Sequence, residues 1–63
     1  MTPGQRIVSR RKRHHLTQRQ LAEILGVSQA TISRWERDKL GPDYAAALIL
    51  QRALGGTIRD YLT

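Results

Sequence analysis

Apolar side chains recur every three to four residues along most of the chain, and no stretch alternates apolar and polar residues over the length of a strand. This spacing is typical of amphipathic helices. The sequence therefore predicts an all-α fold, with five helical segments forming a single domain over residues 1–63. The predicted segments run from Pro3 to His14, from the N-cap Thr17 to Leu25, from the N-cap Ser28 to Arg37, from Asp43 to Leu54 and, as one short turn, from Ile58 to Leu62.

The second segment has the clearest start signal in the chain. Thr17 is placed as an N-cap with Gln20 three residues later, which is the capping-box pattern, and Leu16 and Leu21 have the spacing of a hydrophobic staple. Gly26 follows the last apolar residue of the segment, at a position where helix ends favour the left-handed conformation. The sequence thus defines both ends of this helix.

A third helix begins almost immediately after the second. Only Gly26 and Val27 precede Ser28, another candidate N-cap, and Val27 and Ile32 repeat the staple spacing. Two helices joined by so short a turn must change direction sharply, as in a DNA-binding helix-turn-helix. Bundles that bind no ligand also contain such pairs, so the surface of the third helix has to decide between the two.

The third helix divides into an apolar side and a polar side. Ile32 and Trp35 point one way, and the opposite flank carries no acidic residue; it consists of Gln29, Ala30, Ser33, Arg34 and Arg37. These side chains suit base edges in the major groove, because Gln pairs with adenine, Arg with guanine, Ser with several acceptors, and Ala contacts the thymine methyl group. A flank that is merely solvated would be expected to mix acidic and basic residues.

Net charge strengthens the case for a polyanionic partner. Eleven Lys and Arg face five Asp and Glu, which gives a formal charge of +6. The whole excess lies before residue 40, because later basic and acidic residues are equal in number. Charge alone could also serve solubility, or nonspecific binding to RNA or to an anionic membrane surface. Neither alternative accounts for the short turn, the second capped helix and the acid-free flank.

Other kinds of chemistry find little support in the residues. The chain has no cysteine, and its two histidines, His14 and His15, are adjacent and lack a further ligand for a metal. The five carboxylates are scattered, so no acid–base site is indicated and we do not expect an enzyme.

The longest apolar run, Tyr44 to Leu50, is far shorter than the roughly 20 residues of a membrane span. We expect a soluble, cytoplasmic protein without cofactor, metal, membrane contact or small-molecule ligand.

The stretch from Leu16 to Glu36, LTQRQLAEILGVSQATISRWE, resembles the lambda repressor-like helix-turn-helix family, also called the Cro/CI-type or XRE family. The likeness extends to Lys39 and Pro42 in the following loop and to residues 53–55. It implies a compact five-helix domain of a bacterium or phage that binds double-stranded DNA through its second and third helices. The implied function is transcriptional regulation, most simply by a repressor that binds a pseudo-palindromic operator as a weak homodimer, which could form on the DNA. Within the same fold, an antitoxin-type DNA-binding partner protein is the alternative.

Roles for individual residues follow from the polar flank and from the resemblance together. The expected base-reading residues are Gln29, Ala30, Ser33 and Arg34. By resemblance, Gln18 takes the place of a glutamine that bonds both a DNA phosphate and the first glutamine of the recognition helix, here Gln29. Also by resemblance, Arg11 and Glu36 match a largely buried ion pair that ties the first helix to the end of the third.

Phosphate contacts are expected beside the polar flank, because helix N-termini and nearby cations attract phosphate. The expected residues are Gln18, Arg19, Arg37, Lys39 and Arg10. For self-association we expect a small contact formed by Ile58, Tyr61, Leu62 and Leu40.

The sequence departs from the family pattern at the ends of two helices and near its C-terminus. His15 and Asp38 stand where relatives have glycines that end the first and third helices, and Gly56 replaces a valine. Histidine and aspartate tolerate left-handed backbone better than most residues, so we expect the fold to persist.

Overall fold

The computed structural model describes residues 1–62 and is all-helical over that range. Its elements are α1 (Pro3–Arg13), α2 (Gln18–Leu25), α3 (Gln29–Glu36), α4 (Tyr44–Leu54) and a C-terminal 3₁₀ turn (Ile58–Tyr61). The predicted all-α fold and the order of its segments are confirmed, with the fifth segment a four-residue 3₁₀ turn. No helix within the described range is long and apolar enough to span a bilayer.

Side-chain caps fix where the helices begin. The Thr17 hydroxyl accepts a hydrogen bond from the Gln20 amide at 3.0 Å, and the Gln20 side chain accepts one from the Thr17 amide at 2.9 Å. Ser28 caps α3 at 3.1 Å, also as predicted. A further capping box, formed by Thr2 and Gln5, starts α1 and was not predicted from the sequence. Each cap satisfies an amide that has no partner inside its helix.

Three of the helices end in the same way, with one residue in the left-handed conformation. His15, Gly26 and Asp38 have φ angles of 58°, 68° and 57°. In each turn the following residue donates its amide to a carbonyl five residues earlier, from Leu16 to Arg11, from Val27 to Ala22 and from Lys39 to Arg34. His15 and Asp38 therefore adopt the geometry of the glycines they replace.

One apolar core is shared by all the elements. A residue from each is fully buried: Ile7 of α1, Leu21 of α2, Ile32 of α3, Leu50 of α4 and Tyr61 of the 3₁₀ turn. The predicted part of Tyr61 in self-association is therefore wrong, because this side chain has no exposed surface. The last segment is too short for a helical pattern to reveal which of its sides faces the core.

A close approach between α1 and α3 orients the helix-turn-helix on the rest of the domain. Gly4 lies where a Cβ atom would overlap the carbonyl oxygen of Trp35 and would come within 2.8 Å of that of Glu36. In addition, α2 packs on α3, and α4 packs on the 3₁₀ turn. The flank of α3 that faces away from the core is left at the surface.

Candidate nucleic-acid interface

The four predicted base-reading residues all remain accessible on one flank of α3; they are Gln29, Ala30, Ser33 and Arg34. Ser33 is half-buried and the other three are exposed. On the opposite side of the helix, Ile32 is fully buried and Trp35 is 5% exposed. Rotating α3 to hide its polar flank would expose the indole, so packing of the apolar side fixes which residues face outward.

Arg11 and Glu36 form a two-pronged ion pair between α1 and the end of α3. The Arg11 Nε atom lies 2.6 Å from Glu36 Oε2, and Nη2 lies 3.2 Å from Oε1. Only 11% and 5% of the two side chains are exposed. Arg11 also donates from Nη1 to the Leu16 carbonyl at 2.8 Å, so its donors are well used. The geometry is that of the buried pair which the resemblance implies.

Gln18 joins this ion pair from the first position of α2. Its Nε2 atom donates to Glu36 Oε1 at 2.8 Å, which links α2 to the end of α3. Among the described residues Gln18 makes no hydrogen bond to Gln29, the partner expected from the resemblance. The contact with Glu36 was missed because residues 18 positions apart give no local signal of their pairing.

The N-terminus of α2 lies next to these groups and offers backbone donors. The Thr17 hydroxyl accepts a hydrogen bond from the Gln20 amide. The amides of Gln18 and Arg19 belong to the first turn, where a helix provides no acceptor. The Arg19 side chain is 80% exposed and lies 3.6 Å from Glu23. A pair this exposed is held weakly, so Arg19 remains available to another anion.

The turn after α3 carries two more cations and is anchored to α1. Arg37 folds back along the helix, where Nε donates to the Ser33 carbonyl at 3.3 Å. Lys39 is exposed, and its backbone is held by the 2.9 Å bond to the Arg34 carbonyl. Asp38 accepts bonds from the Gly4 amide at 3.0 Å and from the Thr2 hydroxyl at 2.6 Å.

Arg10 lies elsewhere, against the C-terminal turn. Its Nη1 atom is 3.0 Å from both Asp60 Oδ2 and the Tyr61 hydroxyl, and the guanidinium carbon is 5.4 Å from the centre of the Tyr61 ring. Gly56 has a φ angle of 83°, where the valine of the family pattern would be strained, and its lack of a Cβ atom leaves room for this guanidinium. The expected phosphate contact from Arg10 stays a prediction, but its side chain already has partners inside the molecule.

The same cluster perturbs the titration of one carboxyl group. The Thr57 amide donates to Asp60 Oδ2 at 3.0 Å, and this bond, with the Arg10 contact, holds the pKa of Asp60 below its usual value. Arg6 Nη1 donates to the Asp60 carbonyl at 3.1 Å. The 3₁₀ turn is therefore joined to α1 by both side-chain and backbone groups.

Each of the five Asp and Glu side chains is engaged by another group within residues 1–62. Glu36 pairs with Arg11, Asp60 with Arg10, Glu23 with Arg19, Asp38 with the Gly4 amide and Asp43 with the Ala46 amide. By contrast, Arg34 and Lys39 have no carboxylate partner within residues 1–62. The surface around α3 thus keeps its positive charge largely uncompensated.

Two short helices are joined by a sharp turn, and the second presents a polar flank on an all-helical scaffold. This arrangement defines the class of the protein as a helix-turn-helix domain. A family model described as Helix-turn-helix matches residues 7–61, and the chain belongs to this family. The resemblance stated from the sequence is therefore confirmed. This is not a family of enzymes, in agreement with the scattered carboxylates.

Two curated relatives are phage repressors. Repressor protein C2 of Salmonella phage P22 is 41% identical over 51 residues, which cover 81% of this chain and 24% of the relative. The immunity repressor protein of Bacillus phage phi105 is 42% identical over 55 residues, which cover 87% of this chain and 38% of the relative. The chain spans well under half the length of both.

The fold is similar to that of solved P22 c2 repressor structures. A crystal structure of the P22 c2 repressor with a synthetic operator superposes with a TM-score of 0.91 at 35% identity, covering 100% of this chain and 96% of that chain. The solution structure of the DNA-binding domain of the same repressor superposes with a TM-score of 0.86 at 36% identity, covering 94% of this chain and 78% of that chain.

Proposed function

We propose that this protein binds double-stranded DNA in a sequence-specific manner, with α3 in the major groove, and acts in the cytoplasm as a transcriptional repressor by occupying its operator. The observation that carries the proposal is the exposed, acid-free flank of α3, fixed from behind by Ile32 and Trp35. The similarity to a repressor crystallised with operator supports it. A recognition helix needs such a rigid backing, because its side chains must meet base edges without further rearrangement.

The proposed contacts divide into those that read sequence and those that supply affinity. Base edges are read by Gln29, Ala30, Ser33 and Arg34. Phosphates are bound by Gln18, Arg19, Arg37 and Lys39, which surround the flank at the start of α2 and the end of α3. The first-turn amides of α2 add donors that carry a positive partial charge. Arg10 stays a predicted phosphate contact outside this set, because its guanidinium is already bound to Asp60 and Tyr61.

Two copies are proposed to bind one operator. A single recognition helix contacts few base pairs, and two helices related by a two-fold axis would meet half-sites about 34 Å apart. The half-buried Ile58 and Leu62 line a shallow groove of about 520 Å³ together with Tyr44, which is 64% exposed. A contact between copies at this groove would be small, so we propose a weak dimer that gains stability from DNA.

Selection of bound duplexes from a random pool tests the proposal. A sequence-specific dimer should enrich a pseudo-palindrome and bind it at least about 10³-fold more tightly than bulk DNA at the same salt concentration. Binding that depends on salt but not on sequence would contradict the proposal, and would instead favour a nonspecific polyanion-binding module.

A further inference from the structure

Arg34 is the one cation among the four proposed base-reading residues. It is exposed, and its side chain has no hydrogen bond or ion pair within residues 1–62. The neighbouring arginines differ in this respect, because Arg11 is buried against Glu36 and Arg37 bonds the Ser33 carbonyl. The five donors of the Arg34 guanidinium are therefore available to a ligand.

The backbone that carries Arg34 is firmly held. Its carbonyl accepts the Lys39 amide at 2.9 Å, and the next residue, Trp35, is 5% exposed in the core. Only the side chain has to be ordered when a ligand binds, and the planar guanidinium loses less freedom per hydrogen bond than an ammonium group. Because the backbone is fixed and the guanidinium donors are coplanar, Arg34 is suited to hydrogen bonds of defined direction.

Ala30 gives this side chain room toward the start of the helix. Side chains of an α-helix lean toward its N-terminus, so Arg34 covers the surface one turn back, at Ala30. Ala30 is exposed and ends at its methyl group. The guanidinium can therefore extend over it, toward the N-terminal half of α3 that enters the groove in helix-turn-helix complexes.

We propose that Arg34 is the specificity-determining residue that selects a guanine in each half-site. Guanine presents two acceptors, O6 and N7, that match the guanidinium fork, whereas adenine places an amino group where O6 would be. The proposal rests on the proposed function and names the base read by one residue of that site. Gln29, five residues earlier or about 7.5 Å along the helix axis, is expected to read an adenine about two base pairs away.

The experiment compares wild-type protein with Arg34→Ala on the selected duplex and on versions altered at one candidate guanine. Replacing this guanine by adenine, or by 7-deazaguanine, which lacks the N7 acceptor, should weaken wild-type binding about 10- to 100-fold. The Arg34→Ala variant should bind the three duplexes with nearly equal affinity. Arg13→Ala removes the same charge from an exposed position and should keep the full preference for guanine.

Two results would overturn this inference while leaving the proposed function intact. Arg34→Ala could retain the guanine preference. Alternatively, it could weaken binding to selected and to bulk DNA by the same factor, as the loss of a phosphate contact would. If wild-type protein selected no sequence, the proposed function would fall first and this inference with it. Circular dichroism would verify that Arg34→Ala is folded, as expected for an exposed side chain.

Discussion

His15 and Asp38 occupy the same left-handed position after α1 and α3, but their side chains do different things. The His15 side chain is exposed and makes no hydrogen bond within the described residues. Asp38 instead accepts bonds from Thr2 and Gly4, and so caps the N-terminus of α1 from a distance. A non-glycine residue in this region of backbone space costs about 1–2 kcal/mol, and only Asp38 offsets this cost through its side chain.

Replacing His15 by glycine is expected to stabilise the domain. The substitution relieves the left-handed strain and removes no hydrogen bond, while glycine adds some entropy to the unfolded chain. We expect the free energy of unfolding to rise by roughly 1 kcal/mol and the melting temperature by about 4–8 °C. Thermal and urea unfolding would measure both, and an unchanged or lower stability would contradict the expectation.

The matched change Asp38→Gly is expected to give no such gain. It relieves similar strain but removes two hydrogen bonds, each worth about 0.5–1.5 kcal/mol. The variant should therefore be no more stable than wild type. Asp38→Asn, which keeps an acceptor for the Gly4 amide, should be more stable than Asp38→Gly. If Asp38→Gly stabilised the domain as much as His15→Gly, the cap on α1 would have no energetic importance.

At the level of elements, α3 is held by an apolar side and by a polar contact at its end. Ile32 and Trp35 set its rotation, and Glu36 ties it to α1 through Arg11 and to α2 through Gln18. These groups are buried or half-buried, and all of them except Gln18 lie outside the proposed DNA contacts, so the orientation of the recognition flank depends largely on residues that do not touch the ligand.

Removing Glu36 should reveal this dependence. In Glu36→Ala the buried Arg11 loses its carboxylate, and an uncompensated buried charge costs about 3–5 kcal/mol. That is a large share of the stability of a small domain, so melting temperature should fall before operator preference changes. Glu23→Ala removes an acid from a pair that is 70–80% exposed and should change stability by less than about 1 kcal/mol. Equal effects of the two substitutions would deny the importance of the buried pair.

Lys39, on the turn after α3, tests the division between affinity and sequence reading. Lys39→Ala should weaken binding to selected and bulk DNA alike, and should reduce the slope of log affinity against log salt concentration by roughly one unit. Arg52→Ala, an exposed change on α4, serves as the control and should leave the slope unchanged. An unaltered slope in Lys39→Ala would place this residue away from the DNA backbone.

On the scale of the whole molecule, the contact between α1 and the C-terminal turn should respond to acid. The pKa of Asp60 is lowered in the folded state by the Thr57 amide and by Arg10. A carboxyl group of this kind stabilises the fold above its ordinary, unfolded-state pKa of 3.8, and the stabilisation is lost as pH falls through the lower folded value.

Asp60→Asn should therefore be less stable than wild type at pH 7, and the difference between them should shrink below about pH 4. Urea unfolding between pH 3 and pH 7 would measure this convergence. Glu23→Gln, which neutralises an exposed acid, should run parallel to wild type apart from a small offset. If the free energies of unfolding of Asp60→Asn and wild type differed by the same amount at every pH, the Asp60 charge would have no role in stability.

The sequence predicted those parts of the molecule that depend on neighbours along the chain. The caps at Thr17 and Ser28 and the burial of Ile32 and Trp35 are encoded in short patterns, so the helices and the outward flank of α3 could be found. The contacts of Asp38, Gln18 and Arg10 were not found, because they join residues 18 to 51 positions apart. Which cations remain free for a ligand depends on these distant pairings and required the structure.

The hydroxyl of Thr2, bonded to Asp38 at 2.6 Å, places the start of α1 beside the turn that carries Lys39. Met1 is 77% exposed, so any peptide joined ahead of it emerges at the edge proposed to meet phosphate. An acidic affinity tag attached there would imitate the DNA backbone and lower the apparent affinity, whereas a lysine-rich one would raise it for every sequence alike.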